Sequence, residues 1–407
     1  MGKLKLEIKK NEISVILWCI GLFVFPYILR NRLMGSAALL NILTYGGLLY
    51  GYNRKIIDNA YIKSNRWGKL LFAVIYYTLS IFILFYIRGT GWSIVRRFML
   101  VFVYVFPAAF IYMEIPDKQI VEKYSKIWLG CLRGICTIMC VAKAIDMLLG
   151  NFIQKFFASF YGNSSMLYLI RSGRFVSFYG HSLNTAFFSI CLLVWTTVVN
   201  DTLKNERKKY IYDVIVSLIC IAIAGSKSGI MLAILLLLLC NIGIRKTKYM
   251  VSILMVTGIL YFSGVFDTVI SRILEGIRIG DLSTSRNSAL ERLISSGTIS
   301  FDWIKGHVID YSGTSMIAAL EYPFLRWAFT CGILFSLIMC IVYFIFPAIR
   351  VVTCFNLTGL ICVMIFMAFV NGNNGISSYS DDLLFYAINI GLLTQFLMSH
   401  SRKRIYK

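Results

Sequence analysis

Apolar residues along this chain fall into blocks, separated by short polar connections that are mostly basic. The blocks run roughly over residues 13–29, 33–51, 68–87, 94–112, 127–149, 183–199, 211–225, 229–243, 249–266, 327–347, 351–370 and 382–399. A helix rises about 1.5 Å per residue, so about 20 apolar residues cross a hydrocarbon core about 30 Å thick. Lipid cannot hydrogen-bond a bare backbone, which leaves helices or a closed barrel as spanning structures. The period-2 alternation of a barrel is absent. The pattern therefore predicts an all-α polytopic membrane protein with about 12 transmembrane helices.

Charge then orients the blocks. With the N-terminus inside, every even-numbered connection carries basic residues: Arg54 to Lys69, Lys118 to Lys126, Lys204 to Lys209, Arg245 to Lys248, and Arg350. The tail adds Arg402, Lys403, Arg404 and Lys407. Basic loops are retained in the cytoplasm, so both termini are expected there. Lys3, Lys5, Lys9 and Lys10 before the apolar run from Ile13 mimic a signal peptide. No small-x-small cleavage site follows, and the segment reads as an uncleaved first helix.

Two connections on the opposite side are long: roughly 150–182, and roughly 267–326, the latter with amphipathic stretches of its own. Long loops of this kind usually carry function. The larger predicts two or three short helices on or above the extracytoplasmic face of a single membrane domain.

Composition agrees with a membrane chain: 407 residues, 58% hydrophobic and 15% charged. The net charge of +22 would suggest nucleic acid in a soluble protein. Here basic inner loops account for it, and no nucleic-acid motif is present. The eleven cysteines lie mostly inside apolar blocks, without C-x-x-C or zinc spacing, and read as small packing residues. No metal or other cofactor is implied.

The outer side is unusually basic. Arg88, Arg96 and Arg97 end the third and fourth blocks there, and Arg171 and Arg174 lie in the first long loop. Lys227 lies in the turn Gly225-Ser226-Lys227-Ser228-Gly229. Arg272, Arg278, Arg286, Arg292, Lys305 and Arg326 lie in or at the end of the second long loop. A guanidinium fork suits phosphate oxygens, so the set points to a cleft for an anionic headgroup or pyrophosphate. Taken singly, each arginine is as well explained by snorkelling to lipid phosphates. The Gly-Ser turn offers N–H groups, hydroxyls and a cation at a helix start, although a plain hairpin turn would use the same residues. It lacks P-loop spacing.

The order of these features resembles bacterial O-antigen and capsule repeat-unit polymerases (Wzy-type) and O-antigen ligases. Arg171, Gly173, Phe175 and Asn184 match an R-x-G-x-F…N pattern before a middle span. Gly225 to Gly229 matches a G-S-R-[SG]-[GA] element, with Lys227 in place of Arg, and Ser283 to Arg286 matches an S-x-R segment. The likeness covers roughly residues 165–345. Gly306-His307 matches a later G-x-G poorly, and Glu321-Tyr322-Pro323-Phe324-Leu325 stands where the family has His or Asp before Asn. The ligases' proposed catalytic His is therefore not clearly matched, which favours polymerase over ligase.

The resemblance implies a polyprenyl-pyrophosphate-linked oligosaccharide as donor and a sugar hydroxyl of a second lipid-linked unit as acceptor. Other polysaccharide-assembly membrane proteins are its expected partners. Negative charge builds on the leaving pyrophosphate, and fixed cations would stabilise it. Arg171, Arg174, Lys227 and Arg286 are the candidates for that role. Glu321 and His181 are candidates to take the acceptor proton, with Asp302, His307 and Asp310 behind them. For each acid, capping or solvation is the competing role. A transporter or flippase of lipid-linked oligosaccharide is the rival from another class. It would want charges deep in its spans, and Lys143 and Asp146 could form an i,i+3 pair of that kind.

Overall fold

Two prolines decide where the first helices stop. A proline lacks the N–H that would continue a helix, and its ring collides with the preceding turn. We describe the fold from a computed structural model, over residues 10–59, 79, 94–203, 207–241, 258, 264, 266–280, 286–307, 320–372, 374–377 and 380–401. Helix α1 (Ile13–Cys19) continues through a π turn, Ile20–Val24, and ends before Pro26. Helix α2 (Tyr27–Met34) then leaves at 74°. The expected span over 13–29 is thus a bent pair. Its successor over 33–51 is shortened to α3 (Ile42–Asn53). Around Pro107, the block at 94–112 divides into α4 (Ile94–Tyr104) and α5 (Ala108–Ile111).

Among the described residues, the remaining regular elements are helices apart from one antiparallel ladder, Asp58 opposite Glu114 and Asn59 opposite Met113. The helices comprise α6 (Lys118–Leu148), α7 (Phe152–Tyr161), α8 (Ser164–Arg171), α9 (Ser182–Leu203), α10 (Arg207–Ile223) and α11 (Lys227–Asn241). Then follow α12 (Asp267–Ile279), α13 (Arg286–Ser295), α14 (Pro323–Cys331), α15 (Ile333–Val352), α16 (Leu357–Asn371) and α17 (Asp382–His400). The block expected at 327–347 is displaced, because Gly332, at φ +95°, breaks the helix between α14 and α15. The blocks at 68–87 and 249–266 fall almost entirely outside the described residues.

Among the described residues, four helices are long and apolar enough to cross a membrane: α6, α9, α15 and α17. The bent pair makes a fifth if counted as one span. Helices α9 and α17 are central, with 89% and 83% of their apolar windows buried, against 28% for α6. The outer side of α6 presents Ile138, Val141, Ile145 and Met147, and that of α11 presents Met231, Ile234, Leu235 and Leu238. Apolar faces this extensive suit lipid rather than water.

Polar pins hold the centre. Asn389 Oδ1 accepts from Trp128 Nε1 at 2.6 Å, Trp195 Nε1 at 2.9 Å and Cys191 Sγ at 2.7 Å, joining α6, α9 and α17. Arg133 and Asp213 form a two-point ion pair at 2.6 and 2.7 Å between α6 and α10, and Thr196 donates to the same carboxylate at 2.9 Å.

The helices share two ends. At one, Lys123 pairs with Glu12, His400 Nε2 meets Glu122 at 3.0 Å, and Arg350 donates to the Ile111 carbonyl at 2.9 Å. At the other lie the starts of α9, α11 and α17, the α1–α2 bend, and α7, α8 and α14.

Candidate functional site

The segment between α8 and α9 carries two of the expected residues, and a buried polar relay fixes it. Asp146, at the end of α6, accepts from Gln154 Nε2 at 2.6 Å and from the Ile153 N–H at 2.7 Å. Gln154 Oε1 in turn accepts from the Val176 N–H at 2.7 Å. Asp146 thus holds this segment, whatever its electrostatic interaction with Lys143 one turn earlier.

The segment then docks on the end of α10. The Phe175 N–H donates to the Ile223 carbonyl at 2.8 Å, and Arg174 Nε donates to the Ala224 carbonyl at 3.0 Å. Arg272, from α12, donates to the Gly225 carbonyl. Gly225 is in the left-handed region, at φ +66°, and a Cβ there would lie 3.0 Å from Arg174 Cγ. Lys227 begins α11 two residues later, and Ser226 Oγ caps that helix by accepting from the Gly229 N–H at 3.1 Å. Two motifs some fifty residues apart thus meet, joined by a third cation from the long loop.

The same segment continues into a cavity of about 310 Å³. It is walled by the α1–α2 bend, by His181 and Asn184 at the start of α9, and by Asp381 and Asp382 at the start of α17. Tyr179 Oη donates to the Phe23 carbonyl at 3.1 Å, and Asn184 Nδ2 to the Tyr179 carbonyl at 3.1 Å. Gly180 adopts φ +81°, and a Cβ there would lie 2.0 Å from Ile28 Cδ1. Only glycine lets this turn approach α2 so closely.

His181 accepts the Leu183 N–H on Nδ1 at 3.1 Å, which puts the proton of the neutral ring on Nε2. Burial, and then the nearby Arg174 charge, lower its pKa to about 4. The imidazole is thus neutral near pH 7, with Nε2–H available as a donor.

Sequence reasoning missed the acid wall. Arg30 donates to both oxygens of Asp381 at 2.8 Å, and Asn41 Nδ2 adds a third bond at 3.2 Å. The same guanidinium reaches the carbonyls of Phe25 at 2.6 Å and Ala38 at 2.9 Å. Two adjacent carboxylates at the mouth of an apolar block were the available signal, since a charge there needs a partner or a task.

The other expected residues lie apart from the cavity walls. Arg171 is exposed at the end of α8. Arg286 begins α13, and its side chain lies outside the described residues. Glu321 is half-buried just before α14. Tyr322 Oη donates to Asn287 Oδ1 at 3.3 Å, so the residues next to Glu321 and Arg286 are bonded to each other. A small core of Ala289, Ile299, Leu320 and Phe329 supports this part of the loop.

Asp302 accepts from the Ile304 and Lys305 N–H groups at 2.9 and 3.0 Å, and these bonds lower its pKa. It is a turn-capping group. The His307 ring stacks on Phe329 at 5.3 Å and serves packing, and Asp310 lies outside the described residues. Among the described residues, no group of three His, Cys, Asp or Glu could hold a metal. Comparison with family models, curated proteins and solved structures finds no match for this chain.

Proposed function

We propose that this chain is a membrane glycosyltransferase that joins lipid-pyrophosphate-linked oligosaccharide repeat units into a surface polysaccharide on the outer face of a bacterial cell membrane. It crosses the membrane about twelve times with both termini in the cytoplasm. The observation that carries this reading is the meeting of Arg174, Lys227 and Arg272 around the Gly225–Gly229 turn, beside a cavity lined by His181 and Asp382.

Fixed cations at a helix start suit a leaving pyrophosphate, because they stabilise charge that appears only as the anomeric bond breaks. Arg174 and Arg272 already donate to helix-end carbonyls, so they are held in place before substrate arrives. Ordering them costs little at the moment of reaction. The adjoining cavity has room for a sugar ring and presents donors and a carboxylate to its hydroxyls. In this reading the acidic product of each cycle is the polyprenyl pyrophosphate, and the growing chain stays on the other lipid.

The test uses a strain lacking the chain, complemented by wild type or by Arg174→Ala at matched protein level. Single repeat units on the lipid at the outer face in the deletion strain and in the variant, with polymer restored by wild type, support the proposal. Long polymer that stays on the lipid in the deletion strain would identify a ligase. Single units trapped on the cytoplasmic side would identify a transporter.

A further inference from the structure

The acid wall assigns a role that the cation cluster leaves open. We propose that Asp382 takes the proton from the acceptor hydroxyl, and that the cavity of about 310 Å³ is the acceptor-sugar subsite. This rests on the glycosyltransferase reading above and adds the base and the acceptor position to it.

Elimination within the cavity comes first. Asp381 is adjacent to Asp382 but is occupied: Arg30 holds both its oxygens and Asn41 one of them. Arg30 gives both of its terminal nitrogens to Asp381 and to the carbonyls of Gly21, Phe25 and Ala38, and makes no ion pair with Asp382 among the described residues. His181 carries its proton on Nε2, and its one basic lone pair, on Nδ1, already accepts the Leu183 N–H, away from an acceptor hydroxyl. Asp302 is spent on two backbone N–H groups. Glu321 stands on the loop before α14, outside the cavity wall.

Asp382 differs from all of these. It lines the cavity, and among the described residues no cation pairs with it. Its polar neighbours are Ser380, which hydrogen-bonds it, and the Asp381 carboxylate. It is the first residue of α17, where the helix dipole favours an anion. On its far side the chain closes tightly: a Cβ on Gly375 would lie 2.8 Å from Asp382 Oδ2. The carboxylate is therefore confined on that side, and it shares the cavity lining with His181 and Asn184. A sugar placed there would give one hydroxyl to Asp382, while His181 Nε2–H could donate to a neighbouring oxygen.

The step balances without a co-reactant. The acceptor O–H proton moves to an Asp382 carboxylate oxygen. The oxygen's electron pair forms the bond to the anomeric carbon of the donor sugar. The anomeric C–O bond to pyrophosphate breaks, and its electron pair leaves on the phosphate oxygen, facing Arg174, Lys227 and Arg272. Asp382 then returns its proton to water or to the departing pyrophosphate.

The experiment uses the full chain, purified and reconstituted in liposomes, with lipid-linked repeat units extracted from the deletion strain as donor and acceptor. Asp382→Asn should lower turnover at least about 100-fold, in the range of general base catalysis, while retention of the lipid-linked unit on the liposomes is unchanged. Asp382→Glu should restore part of the rate. The wild-type rate should fall on the acid side as the base protonates, and the residual activity of Asp382→Asn should lack that fall. A merely structural Asp382 would not move this pH profile. Wild-type turnover by Asp382→Asn, or an unchanged acid limb in its residual rate, overturns this role and leaves the polymerase reading intact. A wild-type chain that makes no polymer from these units overturns both.

Discussion

At the scale of single residues, most charged groups near the cavity are committed before any substrate arrives. Arg30 and Asp381 neutralise each other, and Asp146 is spent on Gln154 and a backbone amide. His181 shows how position changes a side chain's chemistry. Its unperturbed pKa is about 6.5, and burial with Arg174 nearby lowers it to about 4. Between these values the unfolded chain binds a proton that the folded chain refuses. Stability contributed by this site should therefore be full above about pH 6.5 and decline as pH falls toward 4. Thermal unfolding in detergent across that range checks it, with His181→Gln expected to remove part of the decline. Equal pH slopes for both proteins would contradict the assignment. His181 and Asn184 were legible in the sequence because they stand together at the start of an apolar block. Asp382 was not singled out, because its value depends on Arg30, 352 positions away, choosing its neighbour instead.

At the scale of helices, polar contacts join the bundle at many points, and those that carry buried charge have the largest consequence. The Arg133–Asp213 pair is one, with Asp213 fully buried. Removing one partner leaves a buried charge alone, which typically costs about 3–5 kcal/mol, whereas replacing both by apolar residues is often neutral. Arg133→Met should thus lower the unfolding temperature in detergent markedly, and Arg133→Met with Asp213→Leu should recover most of the loss. If the double variant is as unstable as the single one, the pair has a role beyond mutual neutralisation. Apolar blocks located these helices well, but their ends less so. Breaks at Pro26, Pro107 and Gly332 divide blocks that hydropathy runs together, since apolar content is continuous across a kink while backbone hydrogen bonding is not.

At the scale of the whole molecule, the two ends of the bundle differ in character. One gathers the Lys123–Glu12 and His400–Glu122 pairs and Arg350 bonded to a backbone carbonyl, and the other holds the cavity, the cation cluster and the loop helices. If the positive-inside expectation holds, the second end faces outward. A cysteine at Lys155, exposed on α7, should react with a membrane-impermeant maleimide in intact cells above the background of the native thiols. A cysteine at Lys118, exposed at the start of α6, should react only after lysis. The reverse pattern would invert the topology and remove the outer-face reaction. What the sequence determined by itself is the helical class, the number and approximate places of the apolar blocks, several of them long enough as helices to cross a membrane, and the residues rich in chemistry. These are local properties, written in runs of some twenty residues and in the charge of the connections between them. Only the tertiary structure decided which charges are spent and which are available. That depends on groups fifty to several hundred positions apart meeting at ångström distances: Arg30 choosing Asp381, Arg174 reaching the end of α10, and Asp382 left on the cavity wall without a paired cation among the described residues.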